Sequence, residues 1–139
     1  MSENPARAAS RRSVHIVETR PQNAKQQWLE LFADDAIVED PVGRSPLDPQ
    51  GKGHRGKQEI GAFWDRTIDP VRVKFELSDS YACGDEVANV AKITTTLPDG
   101  SRFRTEGVFV YRVDAAGKII SLRAFWEFDR MLASVEKSG

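Results

Sequence analysis

The segment LFADDAIVEDPVG, residues 31–43, places carboxylic acids directly beside apolar residues. A carboxylate in an apolar environment is a candidate general base, because desolvation raises its pKa toward the range in which it accepts protons. Alternation along an extended AIVED segment puts Val38 and Asp40 on one face. Glu39 then faces the other way, so the two adjacent acids cannot share a role. At most one of these two acids can therefore point inward.

Each acid also has a less specific interpretation. An Asp before Pro is common in turns, and on the residues alone this is the more frequent use of the pair Asp40 and Pro41. Asp34 and Asp35 follow a helical pattern, so we interpret them as solvated acids where a helix ends. One of the four acids is then expected to point inward.

Length and charge restrict the class of protein. The chain has 139 residues and is 40% hydrophobic, enough for one core, so we expect a single domain over residues 1–139 with flexible ends at 1–5 and 132–139. With 20 basic and 21 acidic residues it has no basic surface for nucleic acid. No apolar run approaches the roughly 18 residues of a membrane span, and we expect a cytoplasmic location without membrane binding.

Residues that bind metals are scarce. The single cysteine, Cys83, has no partner for a disulfide, and we interpret it as a packing residue. The two histidines, His15 and His54, have no spacing typical of a zinc site. We therefore expect neither a metal nor a cofactor.

Helical patterns occupy the first half of the chain. Residues 6–19 predict a first helix, and a second is predicted to follow Asn23 as its N-cap and to include Trp28 and Phe32. A third is predicted through residues 60–68.

Strand patterns follow. The segment AIVED, residues 36–40, predicts a short strand that stops at Pro41, and the Gly- and Pro-rich residues 43–56 predict an irregular loop. Four longer strands are predicted at residues 71–77, 86–97, 102–113 and 118–128, the last three as an antiparallel meander. The expected fold class is α+β, a curved antiparallel or mixed sheet packed on three N-terminal helices.

This order of elements, together with the segments FADDAIVEDPVG, GKQEIGAFW and VFVYRVDAAGKIISLRAFW, resembles the nuclear transport factor two (SnoaL-like) superfamily. That superfamily has a cone-shaped α+β barrel and includes ketosteroid isomerase, limonene epoxide hydrolase and scytalone dehydratase. The resemblance covers about three quarters of the chain and is greatest to actinobacterial steroid-isomerase-like proteins. It implies that Asp40 is the general base that moves a double bond in a steroid or polycyclic ketone.

The two donors that the family uses to stabilise the charged ketone oxygen are missing. The position of the family Tyr falls on Ile16 without gaps, or on His15, Val14 or Ser13 after a shift of one to three residues. The position of the family's protonated Asp falls on Phe109. Loss of one such donor commonly costs about a hundredfold in rate.

Replacement donors are available in the sequence. Tyr111 is predicted to share a strand face with Phe109, Trp126 matches an aromatic residue of the family pocket, and His15 is available if the first helix is shifted. Apolar residues that pack the helices on the sheet are also expected to line the cavity. The expected pocket-lining residues are Ile16, Val38, Phe63, Trp64, Asn89, Phe109 and Trp126.

Two other functions stay open. A cyclase or hydrolase of the same fold also uses an inward Asp, with Arg104 and Arg123 as possible partners. A carrier would bind an apolar ligand without chemistry, as the missing donors suggest. We also expect a homodimer through the sheet, because the outward positions Thr94, Thr96, Val108 and Val110 are more apolar than a solvated face.

Overall fold

The computed structural model describes residues 3–138. Its helices are α1 (Pro5–Thr19), α2 (Ala24–Glu30), α3 (Gly56–Phe63) and α4 (Phe128–Ala133), and a π-helical turn (Trp64–Ile68) continues α3. Its strands are β1 (Phe32–Glu39), β2 (His54–Arg55), β3 (Arg72–Cys83), β4 (Glu86–Thr96), β5 (Arg102–Val113) and β6 (Ile119–Phe125).

The strands form one sheet in the order β2-β1-β6-β5-β4-β3. All neighbouring strands are antiparallel except β1 and β6, which are parallel. The prediction of an α+β fold with a curved mixed sheet is confirmed, as is the antiparallel meander. Two details differ: β2 and β3 are edge strands, so the sheet is curled but does not close into a barrel, and a fourth helix follows the sheet.

Helix α1 lies against the inner face of the sheet. It begins after Asn4, whose side-chain oxygen accepts hydrogen bonds from the backbone N–H groups of Ala6 and Arg7. Its buried positions include Ser10 and Ser13, which are small enough for close approach to the strands. Ser13 and Ile16 point inward, and this fixes the register of the helix relative to the sheet.

The structure corrects the predicted boundary between α2 and β1. Phe32 was expected in the helix but begins β1, and Asp34 and Asp35 are exposed strand residues rather than acids at a helix end. The pairing of β1 with β6 shifts register between Phe32 and Ile37, and this irregularity hides the strand pattern. Asn23 occupies the N-cap position, but its side chain makes no capping hydrogen bond.

Two further predictions need smaller corrections. The segment 43–56 is mostly irregular, but His54 and Arg55 form β2 beside β1. The predicted third helix changes to π-helical geometry at Trp64 and ends at Ile68. The guanidinium of Arg20 anchors this end, because it donates hydrogen bonds to the backbone oxygens of Ile68 and Val71.

The two ends of the described chain make defined contacts. Glu3 forms an ion pair with Arg11, and Glu136 forms backbone hydrogen bonds with Arg102 at the edge of β5. Leu132 belongs to α4, which the sequence analysis did not predict. Flexibility of the ends stays a prediction, since contacts alone do not measure motion. Homodimerisation also stays a prediction.

The buried apolar residues form two clusters on the inner side of the sheet. The larger cluster lies under the helices and includes Trp28, Phe63 and Trp64. The smaller one consists of Ala91, Phe109 and Ala124, with Ile93 and Trp126 packed against it. Strand β5 therefore contributes to both clusters, with Tyr111 and Val113 in the larger one and Phe109 in the smaller one.

Gly107 lets the chain turn inward after β6. A Cβ atom at this position would lie 2.0 Å from the backbone oxygen of Phe125 and 3.1 Å from Cβ of Trp126. No side chain fits such a gap without movement of the backbone. Gly107 therefore determines where Trp126 enters the interior.

We expect the substitution Gly107→Ala to destabilise the protein by about 3 kcal/mol, because the new methyl group overlaps with backbone atoms. Urea-induced unfolding followed by circular dichroism measures this change. Gly61→Ala is the matched control: it lies in α3, its nearest neighbours are flexible side-chain atoms at 3.4 Å or more, and it should be neutral or slightly stabilising. Equal stability of the two variants would contradict the prediction.

Candidate active site

Asp40 and Trp126 meet at the ends of two neighbouring inner strands of the sheet. Asp40 follows β1 and Trp126 follows β6, and because these strands are parallel their carboxyl ends lie side by side. The indole Nε1 of Trp126 donates a hydrogen bond to Oδ1 of Asp40 over 2.5 Å. Glu39 faces the opposite way and pairs with Arg123 over 3.1 Å. The two adjacent acids therefore have different environments, as the alternation predicts.

The pKa of Asp40 depends on its burial and on its hydrogen bond with Trp126. Desolvation raises the pKa of its carboxyl group, and the hydrogen bond from Trp126 opposes this shift by stabilising the ionised form. The net direction is upward, so the carboxylate is a better proton acceptor than an exposed one. Such a shift is typical of a general base.

The second oxygen of Asp40, Oδ2, faces open space. It makes no hydrogen bond to any residue in the described range 3–138, whereas Oδ1 is held by Trp126. Within that range no fully buried side-chain oxygen or nitrogen lacks a partner. Oδ2 is therefore at least partly accessible.

Tyr111 provides a buried hydroxyl from β5. Its oxygen lies 3.0 Å from Oγ of Ser13 on α1, and Nε1 of Trp28 donates to the same Oγ over 3.0 Å. Burial raises the pKa of Tyr111 to about 12; the hydrogen bond to Ser13 opposes the rise, and the charge of Asp40 adds to it. Tyr111 is thus a neutral phenol, close enough to Asp40 to sense its charge.

The three side chains of this network have one more polar hydrogen than the hydrogen bonds between them use. Trp28, Ser13 and Tyr111 each carry one polar hydrogen, and two hydrogen bonds join the three groups. Ser13 accepts from Trp28, and the hydrogen bond between Ser13 and Tyr111 can run in either direction. When Ser13 is its donor, the proton of Tyr111 is left for another acceptor.

The side-chain amide of Asn89 is hydrogen-bonded at both ends to other parts of the protein. Its side-chain nitrogen donates to Oγ of Ser10 over 3.2 Å, and its oxygen accepts from Oγ of Ser80 over 2.7 Å. Arg7 donates to Ser80 in turn. This network ties α1 to β3 and β4, so both ends of the Asn89 amide are engaged by the protein.

The other predicted site residues are distributed over the interior and the surface. His15 is exposed on α1, because the helical register turns Ser13 and Ile16 inward instead; it is not brought to Asp40. The indole N–H of Trp126 donates to Asp40, so in this arrangement it is not free to donate to a ketone. The remaining pocket-lining candidates are buried: Ile16, Val38, Phe63 and Trp64 in the larger cluster, and Phe109 in the smaller. Their role as cavity walls stays a prediction.

Two residues of the site were not weighed from the sequence. Ser13 appeared only as one result of a register shift, and Trp28 appeared only as a helix residue. Their signal was the pattern of a serine on the inner face of α1 with a tryptophan on the next helix. Without knowledge of the strand that faces them, nothing in the pattern links them to Tyr111.

The arginines considered for a hydrolase site point elsewhere. Arg123 pairs with Glu39 and Arg104 pairs with Glu136, and neither is bonded to Asp40. In the described part of the chain no helix is long and apolar enough to span a membrane. Residues 3–138 also contain no cluster of three or more side chains of the types that ligate metals.

Solved structures share this architecture along nearly the whole chain. The Delta 5-3-ketosteroid isomerase from Mycobacterium sp. is 36% identical, with a TM-score of 0.86, and the match covers 98% of this chain and 100% of that chain. The protein RV0760c from Mycobacterium tuberculosis is 31% identical, with a TM-score of 0.87 and 99% coverage of both chains. The curled sheet with an acid at the end of β1 therefore defines a protein with the fold of the ketosteroid isomerases.

Sequence comparison leads to the same class. A Steroid Delta-isomerase from Nocardioides simplex is 33% identical over 96 residues, which are 69% of this chain and 71% of that protein. The family model of the SnoaL-like domain matches residues 11–122. The chain belongs to the SnoaL-like domain family.

We expect the substitution Asp40→Asn to stabilise the folded protein near neutral pH. The pKa of Asp40 is higher in the folded protein than in the unfolded chain. Burial of the ionised carboxylate therefore destabilises the folded protein, and this destabilisation is complete above the folded pKa. The gain from Asn should shrink as the pH falls through the folded pKa and vanish below the ordinary value of 3.8. Thermal unfolding of both proteins across this pH range measures the difference.

Asp35→Asn is the control for this experiment, since Asp35 is exposed on β1, the strand that Asp40 follows. It removes an equal charge without removing a desolvation cost. A stabilisation by Asp35→Asn as large as that by Asp40→Asn, or a destabilised Asp40→Asn variant at neutral pH, would contradict the assignment.

Proposed function

We propose that this protein is a cofactor-independent isomerase that moves a double bond in a steroid or similar polycyclic ketone. The observation that carries the proposal is the accessible Oδ2 of Asp40, a carboxylate whose pKa burial raises and whose other oxygen is held by Trp126. The identity to a Steroid Delta-isomerase supports this choice of reaction. The complex of RV0760c with estradiol-17beta-hemisuccinate supports the choice of ligand class.

The reaction needs one base and no other proton carrier. Oδ2 of Asp40 removes a proton from the carbon between the ketone and the isolated double bond, and the electron pair of that C–H bond moves into a dienolate. The same carboxyl group returns the proton to the far carbon of the dienolate. One bond to hydrogen breaks and one forms, so the product is an isomer of the substrate.

The charge that develops on the ketone oxygen requires a hydrogen-bond donor. Tyr111 fits this role because its raised pKa keeps it protonated and because Ser13 can donate to its oxygen, which leaves the phenol proton for the ketone oxygen. The phenol enters from β5, whereas the family Tyr is expected on the first helix. In this proposal Tyr111 replaces the family Tyr, whose position on α1 falls on Ile16 without gaps or within residues 13–15 after a shift.

We expect Asp40→Asn to lower kcat for a β,γ-unsaturated 3-keto steroid by at least a hundredfold, because Asn cannot accept the proton. Ultraviolet absorbance of the conjugated product measures the rate. Asp35→Asn should keep wild-type activity. Isomerisation by Asp40→Asn at the wild-type rate would contradict the role of Asp40.

We expect Tyr111→Phe to lower kcat by about a hundredfold through loss of one donor to the oxyanion, with a smaller change in KM. The same assay measures it. Tyr81→Phe is the matched control, since Tyr81 is exposed and its hydroxyl is bonded to Asp79. Equal rates for Tyr111→Phe and the wild type would show that another group stabilises the oxyanion.

A second candidate function is that of a carrier for apolar polycyclic ligands. It is favoured by the absence of both usual donors, since no Tyr stands at residues 13–16 of α1 and Phe109 stands at the position of the family's Asp. A carrier would bind the steroid with similar affinity in the wild type and in Asp40→Asn, with no turnover by either. The assay above, combined with equilibrium dialysis of the conjugated steroid, separates the two functions.

A further inference from the structure

Two buried threonines on the inner face of the sheet have no polar partner. Thr95 is 6% exposed and Thr105 is 7% exposed. Neither hydroxyl makes a side-chain hydrogen bond to a residue in the range 3–138, although no completely buried side-chain oxygen in that range is left unpaired. Each hydroxyl therefore borders open space within an otherwise buried surface.

The register of β4 and β5 places the two threonines together. Ile93 lies opposite Thr105, and Thr95 lies opposite Phe103. Thr95 and Thr105 are thus diagonal neighbours on one face, at a spacing of about 7–8 Å. That face is the one that carries Tyr111, because positions 105 and 111 have the same parity on an unbroken strand.

The threonines lie at the opposite end of this face from Tyr111. Thr105 and Tyr111 are six positions apart on β5, which is about 20 Å along the strand. Trp126 enters between them beside Gly107, and it holds Asp40. Along the inner face of the sheet, Tyr111 therefore comes first, then Asp40, and then Thr95 and Thr105.

The surface between the two polar ends is apolar. It is formed by the smaller cluster of buried residues, in which Phe109 and Ala91 are central. A polar group at each end of an apolar stretch is complementary to a rigid apolar ligand with an oxygen at each end. A threonine hydroxyl both donates and accepts, so a ketone and a hydroxyl suit it equally.

We propose that Thr95 and Thr105 form a distal subsite that hydrogen-bonds to an oxygen substituent at the end of the ligand remote from the reacting ketone. The direction of the ligand rests on the proposed function, since it places the reacting ketone near Asp40 and Tyr111. The subsite selects ligands that carry this second oxygen over those that lack it.

The test compares two conjugated 3-keto steroids, one with a ketone at carbon 17 and one without oxygen there, by equilibrium dialysis. We expect the wild type to bind the 17-ketone about tenfold more tightly. The double variant Thr95→Val and Thr105→Val should lose this preference and still bind the steroid without the second oxygen. The matched control is the double variant Thr94→Val and Thr96→Val, which changes the outer face of the same strand and should keep the preference.

The outcomes separate the subsite from the proposed function. Turnover by a wild type that shows no preference overturns the subsite alone, as does a preference that persists in the inner-face variant. Failure of the wild type to bind either steroid overturns both the subsite and the proposed function.

Thermal unfolding of the ligand-free variants adds a measurement that needs no steroid. We expect the inner-face variant to be at least as stable as the wild type, because it loses two unpaired hydroxyls. A lower Tm in the inner-face variant alone would show that the hydroxyls are structural and would overturn the subsite.

Discussion

The parallel pairing of β1 with β6 is the constraint on which the candidate site depends. It joins the helical first half of the chain to the strands of the second half, and it places Asp40 and Trp126 side by side. Burial raises the pKa of the carboxyl group, while the indole hydrogen bond fixes one oxygen and leaves the other accessible. A single pair of strands thus supplies the position, the orientation and the proton affinity of the base.

Helix α1 supplies the second part of the site through small polar residues. Ser10 and Ser13 lie one turn apart, and each bonds to a polar side chain on the sheet. The Ser10 contact to Asn89 fixes the helix on the strands, whereas the Ser13 contact positions the phenol of Tyr111. Polar contacts of this kind make a packing arrangement specific, because any shift would break hydrogen bonds between buried groups.

Under the proposed function, Tyr111 meets a chemical requirement of the fold from a different element. Ser13 on α1 contacts the phenol from β5, and Trp28 donates a hydrogen bond to the same serine oxygen. A missing residue at an aligned position does not by itself mean a lost function, because a side chain from another element can reach the same place.

The sequence alone determined the fold class, the alternation that separates Asp40 from Glu39, and the strands of the meander, because these depend on local periodicity. It failed where an irregularity interrupts the period, as in β1 around Asp34 and Asp35, and it missed α4. Only the tertiary structure decided that His15 faces solvent, that Trp126 holds Asp40, and that Ser13 meets Tyr111. These contacts join residues 86 and 98 positions apart. The pairing of distant elements sets such contacts, and no pattern within one element encodes it.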